Sequence, residues 1–202
     1  QEGHLEVVRC LCKIGADKDR ATHDGTTPLI VASLEGHLGV VSFLCADGAN
    51  KDKAMLSEAT ALFVASQEGH LEVVRCLCNA RANMDKPMRN GGTPLSIASE
   101  EGHLDVVRYL CTQGVDKDKA LCAFQSDLAN DAAEAWTGAT PLAIACHFGH
   151  LAVVRCLVDA GADRHKATAK GVTPVAMALK SGHMEIAELL RKAGDGVALG
   201  GE

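Results

Sequence analysis

Six of the nine histidines follow a glycine, at His4, His37, His70, His103, His150 and His183, and seven of the nine cysteines fall into two columns of the same period. Recurrent imidazoles and thiols are the raw material of a metal site or a proton relay. A metal needs its ligands converging to within about 2 Å of one ion, whereas these histidines lie one period apart, each in a different unit. The expectation is therefore a helix-start side chain bonding local backbone. The one local cluster, Cys146-His147-Phe148-Gly149-His150, offers no evident fourth ligand. Cys12, Cys45, Cys78 and Cys111 form one thiol column, and Cys10, Cys76 and Cys156 share the other with Phe43, Tyr109 and Leu189. A position open to Phe, Tyr and Leu asks for an apolar filler. Neighbouring helices pack about 8–10 Å apart, beyond the roughly 4.4–6.8 Å Cα separation of a disulfide, so buried reduced thiols are expected. Asp17-Lys-Asp19 and Asp116-Lys-Asp118 lack the spacing and the glycine of a calcium loop and read as solvated turns. No Ser/His/Asp set, phosphate-binding glycine loop or HExxH motif is present. The expectation is no enzyme, no cofactor and no metal.

What positions these residues is a repeat. Residues 1–12 and 67–78 are the same twelve letters, QEGHLEVVRCLC, and Gly-His-Leu or Gly-His-Met returns at Gly3, Gly36, Gly69, Gly102, Gly149 and Gly182, at 33-residue intervals except for 47 between Gly102 and Gly149. A fixed period of this length marks a stack of supersecondary units. In the first full unit Thr27 is placed to cap a helix, with Pro28 at the first helical position, where a missing N–H costs nothing. Leu29–Glu35 forms that short helix, Gly36 ends it, and a second runs from His37-Leu38 to Gly48. Neither is long enough to persist alone in water, so each must bury a face against the next unit. The boundaries read as a half repeat at 1–19, then 20–52, 53–85, 86–118, 119–165 and 166–195, with a disordered tail at 196–202. The unit 119–165 carries 14 extra residues between Asp118 and Gly138, where Ser126 is placed to cap a helix from Asp127 to Trp136.

A net charge of −6 argues against a nucleic-acid surface. At 47% apolar but 3% aromatic, the chain packs on Ala, Val, Leu and Cys. Its apolar runs are too short to span a membrane, and its first residues do not read as a signal peptide. They lack an initiator Met and begin in mid-repeat, so a fragment is expected. Reduced thiols place it in the cytoplasm or nucleus.

Thr-Pro-Leu at Thr27, Thr93 and Thr140, Thr-Pro-Val at Thr173, Thr-Ala-Leu at Thr60, the Gly-His-Leu series and closing elements such as Gly48-Ala-Asn and Gly161-Ala-Asp resemble ankyrin repeats over about residues 1–195. The resemblance implies an all-α repeat solenoid, a stack of helix-turn-helix units with β-turn fingers. It also implies protein binding, as a scaffold or adaptor, on a concave face made by the fingers and first helices. The family often carries His after Thr-Pro-Leu, bonded between units. Here Ile30, Phe63, Ser96, Ala143 and Ala176 stand there, so stability should lean on packing. Arg81 replaces a helix-ending glycine, a strain of about 1 kcal/mol if its backbone is left-handed.

On that face the finger column changes from unit to unit and includes Leu56, Arg89 and Trp136, with Met88 just before it. The pair before each Gly-His adds a stripe with Glu35, Glu68 and Glu101, continuing to His147 and Phe148. Those carboxylates sit at helix C-termini, the unfavourable end of the dipole. Either Arg20, Lys53, Lys86 and Lys166 offset them from within, or a basic partner segment does. Trp136 is a lone tryptophan on a finger, and large aromatics anchor interfaces; packing of the inserted segment is its alternative role. The expected ligand is a protein or peptide of basic and apolar character on a monomeric array. Two other classes remain open. The array is the targeting module of a larger kinase, ubiquitin ligase or acyltransferase, or it is a structural spacer.

Overall fold

The computed structural model describes residues 4–122 and 136–195, in which eleven helices and no strand occur. They are α1 (Leu5–Lys13), α2 (Pro28–Leu34), α3 (Leu38–Ala46), α4 (Ala61–Gln67), α5 (Leu71–Asn79), α6 (Pro94–Glu100), α7 (Leu104–Thr112), α8 (Pro141–Phe148), α9 (Leu151–Asp159), α10 (Pro174–Lys180) and α11 (Met184–Asp195). First helices α2, α4, α6, α8 and α10 pack in succession, and second helices α1, α3, α5, α7, α9 and α11 form the other layer. The chain is an all-α repeat solenoid. The helix expected for Asp127–Trp136 lies outside the described residues except for Trp136, as do Ser126, Gln1, Glu2 and the tail 196–202.

Each first helix starts the same way. Thr27, Thr60, Thr93, Thr140 and Thr173 have extended backbones, and each side chain accepts the N–H three residues on, at 3.2–3.3 Å. One otherwise orphaned helical donor is thereby satisfied. At α6 the bond is reciprocal, since the Ser96 hydroxyl accepts the Thr93 N–H at 2.8 Å. The core is columnar. Leu29, Leu62, Leu95 and Leu142 repeat in the first layer, and Leu44, Leu77, Leu110 and Leu157 in the second, all fully buried. Each such side chain contributes about 1.5–3 kcal/mol on leaving water.

The columns continue across the insertion. Leu95 of α6 and Leu142 of α8 belong to neighbouring helices although 47 residues separate them. The stack therefore continues directly from α6 to α8 across the longer interval. Arg81 has φ 68°, so the strained left-handed position expected from its place in the repeat is real. Glu58, at the finger position held elsewhere by Gly25, Gly91, Gly138 and Gly171, is a second such residue at φ 69°.

Candidate functional site

The histidines do not bond local backbone, as expected from the sequence; they join units. His70 Nε2 reaches the Leu34 carbonyl at 3.0 Å, His103 that of Gln67 at 2.8 Å, His150 that of Glu100 at 2.7 Å and His183 that of His147 at 3.0 Å. None caps its own helix. Each carbonyl lies at the end of the preceding first helix, where no intrahelical donor remains. The imidazole also occupies the space beside a glycine. A Cβ on Gly36, Gly69, Gly102 or Gly149 would stand 2.4–2.8 Å from the ring of His70, His103, His150 or His183 respectively. These glycines are left-handed as well, with φ between 72° and 82°. The Gly-His pair is thus the two halves of adjacent joints, and the stack has inter-unit bonds despite lacking histidine after Thr-Pro-Leu.

The Asp turns are not merely solvated either. The Oδ1 atoms of Asp19, Asp52, Asp85 and Asp118 accept N–H groups of Asn50, Asn83, Asp116 and Asp163 in the following unit, at 2.8–3.2 Å. Lys53 and Lys86 donate to the Asp19 and Asp52 carbonyls, and Lys166 donates to that of Asp118 at 2.8 Å. These lysines are committed to the joints. Among the described residues, no ion pair joins a base of the fingers to Glu35, Glu68 or Glu101. Lys53, Lys86 and Lys166 thus point their ammonium groups at joint carbonyls and form no direct ion pair with the stripe.

Glu35, Glu68 and Glu101 are the exposed C-caps of α2, α4 and α6, so one carboxylate recurs at the same edge of three successive units. In the fingers, Leu56 is 65% exposed, Arg89 pairs with Glu58 at 3.8 Å, and Met88 is half-buried against the core. Main-chain bonds link fingers, from the Leu56 N–H to the Asp24 carbonyl, Cys122 to Asn90 and Ala169 to Thr137, each 2.8 Å. The Thr22 and Thr26 hydroxyls donate to the Asp24 carboxylate and hold its pKa down to about 2.

The stripe ends in an aromatic cluster. Trp136 is half-buried against the core, its ring 6.0 Å from Phe148 with 18° between planes and 4.7 Å from His147, edge-on. Trp136 packs against the core and also borders a cleft. His147 Nδ1 lies 2.9 Å from Ser181 Oγ, and burial, with His183 nearby, pushes its pKa below the ordinary value. A cleft of about 320 Å³ lies against this cluster, lined by Asn90, Glu100, Leu121, Trp136, Ile144 and Phe148. Asn90 and Glu100 belong to the finger column and to the stripe, but the pattern singles out their neighbours Arg89 and Glu101 instead. Glu100 is the other residue of the pair that carries Glu101, and it faces Leu121, Cys122 and Trp136 of the fourth finger across the cleft.

The thiols are partly as expected. Cys78 and Cys146 are buried and Cys45, Cys76, Cys111 and Cys156 half-buried, but Cys10 and Cys122 are exposed. Burial raises Cys45, Cys78 and Cys111 to about 11 and Cys146 to about 12, leaving poor nucleophiles and poor ligands at neutral pH. Among the described residues no group of three His, Cys, Asp or Glu side chains is placed to hold a metal, and no helix is long and apolar enough to cross a membrane.

The family model described as ankyrin repeats (3 copies) matches residues 1–55, 51–120 and 119–198. None of the curated proteins matches the chain. Ankyrin repeats generally serve as protein–protein interaction modules and are generally not catalytic. Helices, caps and joints recur through the described residues and the family match runs from one end to the other; the chain belongs to the ankyrin-repeat family.

Proposed function

We propose that this array is a scaffold or adaptor that binds a partner protein or peptide of basic and apolar character. The segment lies along Glu35, Glu68 and Glu101 and ends on Trp136, His147 and Phe148, with Leu56, Met88 and Arg89 contributing from the fingers. The observation that carries this reading is the uncompensated stripe. The lysines that would offset it are spent on the carbonyls of Asp19, Asp52 and Asp118, so a basic segment meets carboxylates with no competitor already paired to them. Rigid units present these side chains with little ordering to oppose binding. The poorly reactive thiols support residence in a reducing compartment, cytoplasm or nucleus, as a monomeric array.

The test compares partner capture by the chain and by a Glu68→Lys, Glu101→Lys, Trp136→Ala variant, with equal helicity established by circular dichroism. Loss of one or a few proteins from the variant, with cross-links mapping to α4, α6 and the fourth finger, is expected. Identical capture profiles sink the assignment of this face.

A further inference from the structure

The cleft beside Trp136 has an unusual combination of walls. Trp136 and Phe148 line it with rings nearly parallel to one another, Phe148 also lying parallel to His150 at 6.4 Å, and aromatic rings attract cations. Leu121 and Ile144 supply aliphatic surface. Glu100, half-buried at the end of α6, lines the cleft as well, together with Asn90 and Cys122. Its main-chain carbonyl accepts the His150 imidazole. Among the described residues its carboxylate has no ion pair and no hydrogen bond. Burial first, and Glu101 second, push this carboxyl above the usual range. None of the ion pairs among the described residues brings a base to Glu100.

An occupant must combine an aliphatic stem with a positive head. Arginine satisfies this better than lysine. Its guanidinium is flat, weakly hydrated, stacks on aromatic faces and can meet a carboxylate through two parallel N–H groups. We propose that the cleft is a receptor for one arginine side chain of the partner, its stem against Leu121 and Ile144 and its guanidinium on the Trp136–Phe148 wall and the Glu100 carboxylate. This rests on the reading of the face as a partner site, and it adds the residue type that the partner must carry and where that residue lodges.

Trp136 is the single tryptophan of the chain, so its fluorescence reports on this cleft alone. The full chain is titrated with Nα-acetyl-arginine amide, with the lysine equivalent and with the citrulline equivalent, which keeps the shape but not the charge. The arginine probe should change Trp136 emission saturably, with a Kd on the order of 1–10 mM for one isolated side chain. Citrulline and lysine should each bind at least about fivefold more weakly. Glu100→Gln, isosteric and checked by thermal melting, should bring arginine down to the citrulline level. Equal binding of citrulline or lysine, indifference to Glu100→Gln, or no saturable change up to about 100 mM each overturns the assignment. The probes do not test Glu35 and Glu68. If arginine fails while partner capture still responds to Glu35→Lys and Glu68→Lys, only the cleft assignment falls. If capture ignores the stripe altogether, the reading of the face falls instead.

Discussion

At single residues the array holds strain, a joint and a buried charge, and each can be measured. Arg81 occupies a left-handed backbone position where Gly48 and Gly161 stand in other units. Arg81→Gly should therefore raise unfolding stability by about 0.5–1 kcal/mol, read as a higher urea midpoint at unchanged slope. Gly69→Ala should do the opposite. It adds backbone strain and places a methyl 2.6 Å from the His103 ring, and the two effects together should cost about 2–4 kcal/mol. In the His103→Ala background the steric share should vanish, so a double-mutant cycle separates clash from backbone strain. Glu100 has a raised folded pKa. Its ionised form is thus disfavoured in the native state, a cost fully present at neutral pH and relieved as pH falls through the folded value. Glu100→Gln should accordingly stabilise the chain at pH 7, with the gain shrinking to nothing below the ordinary carboxyl value. Denaturation of both proteins across that range checks the sign.

At the scale of the helix, the five threonine caps are alike but α4 lacks the proline that opens α2, α6, α8 and α10. Thr60 already has the extended backbone that a following proline requires. Ala61→Pro should stabilise by about 0.4–1 kcal/mol, chiefly by restricting the unfolded chain; calorimetry would show it as a raised Tm. Caps, apolar columns and the left-handed Arg81 were legible in the sequence because each is set by residues within one turn or by identity of position between units. The joints were not. His70 and Leu34 are 36 residues apart, and Asp19 and Asn50 are 31 apart. Such bonds appear only once the units are stacked, so the same histidines read locally as helix-start residues. Trp136, Phe148 and the acidic stripe were found as exceptional letters in a regular pattern. Glu100 was overlooked because its special feature is burial, which the repeat itself does not distinguish from that of Gln67 or Leu34.

Across the whole molecule, order should decline toward the N-terminal end. α1 has no buried residue and leaves Val7 and Leu11 exposed, as is Ile14 just after it, whereas α4 and α8 are buried along most of their length. Hydrogen exchange should be fastest in α1 and slowest in α4 to α8; uniform protection would mean that the stack opens as one body. One consequence of the Gly-His joint concerns how such a chain grows. The units of Gly69-His70, Gly102-His103 and Gly149-His150 each carry a socket, the glycine, and a plug, the histidine, and the two belong to opposite neighbours. Duplicating a stretch of one period copies both, so the new unit fits on either side with no compensating change, while a point substitution spoils a single seam. Gly182 has open space where the earlier glycines hold a ring. Grafting a copy of an internal unit after it therefore requires no redesigned interface, and lengthening the array is a matter of copying rather than invention.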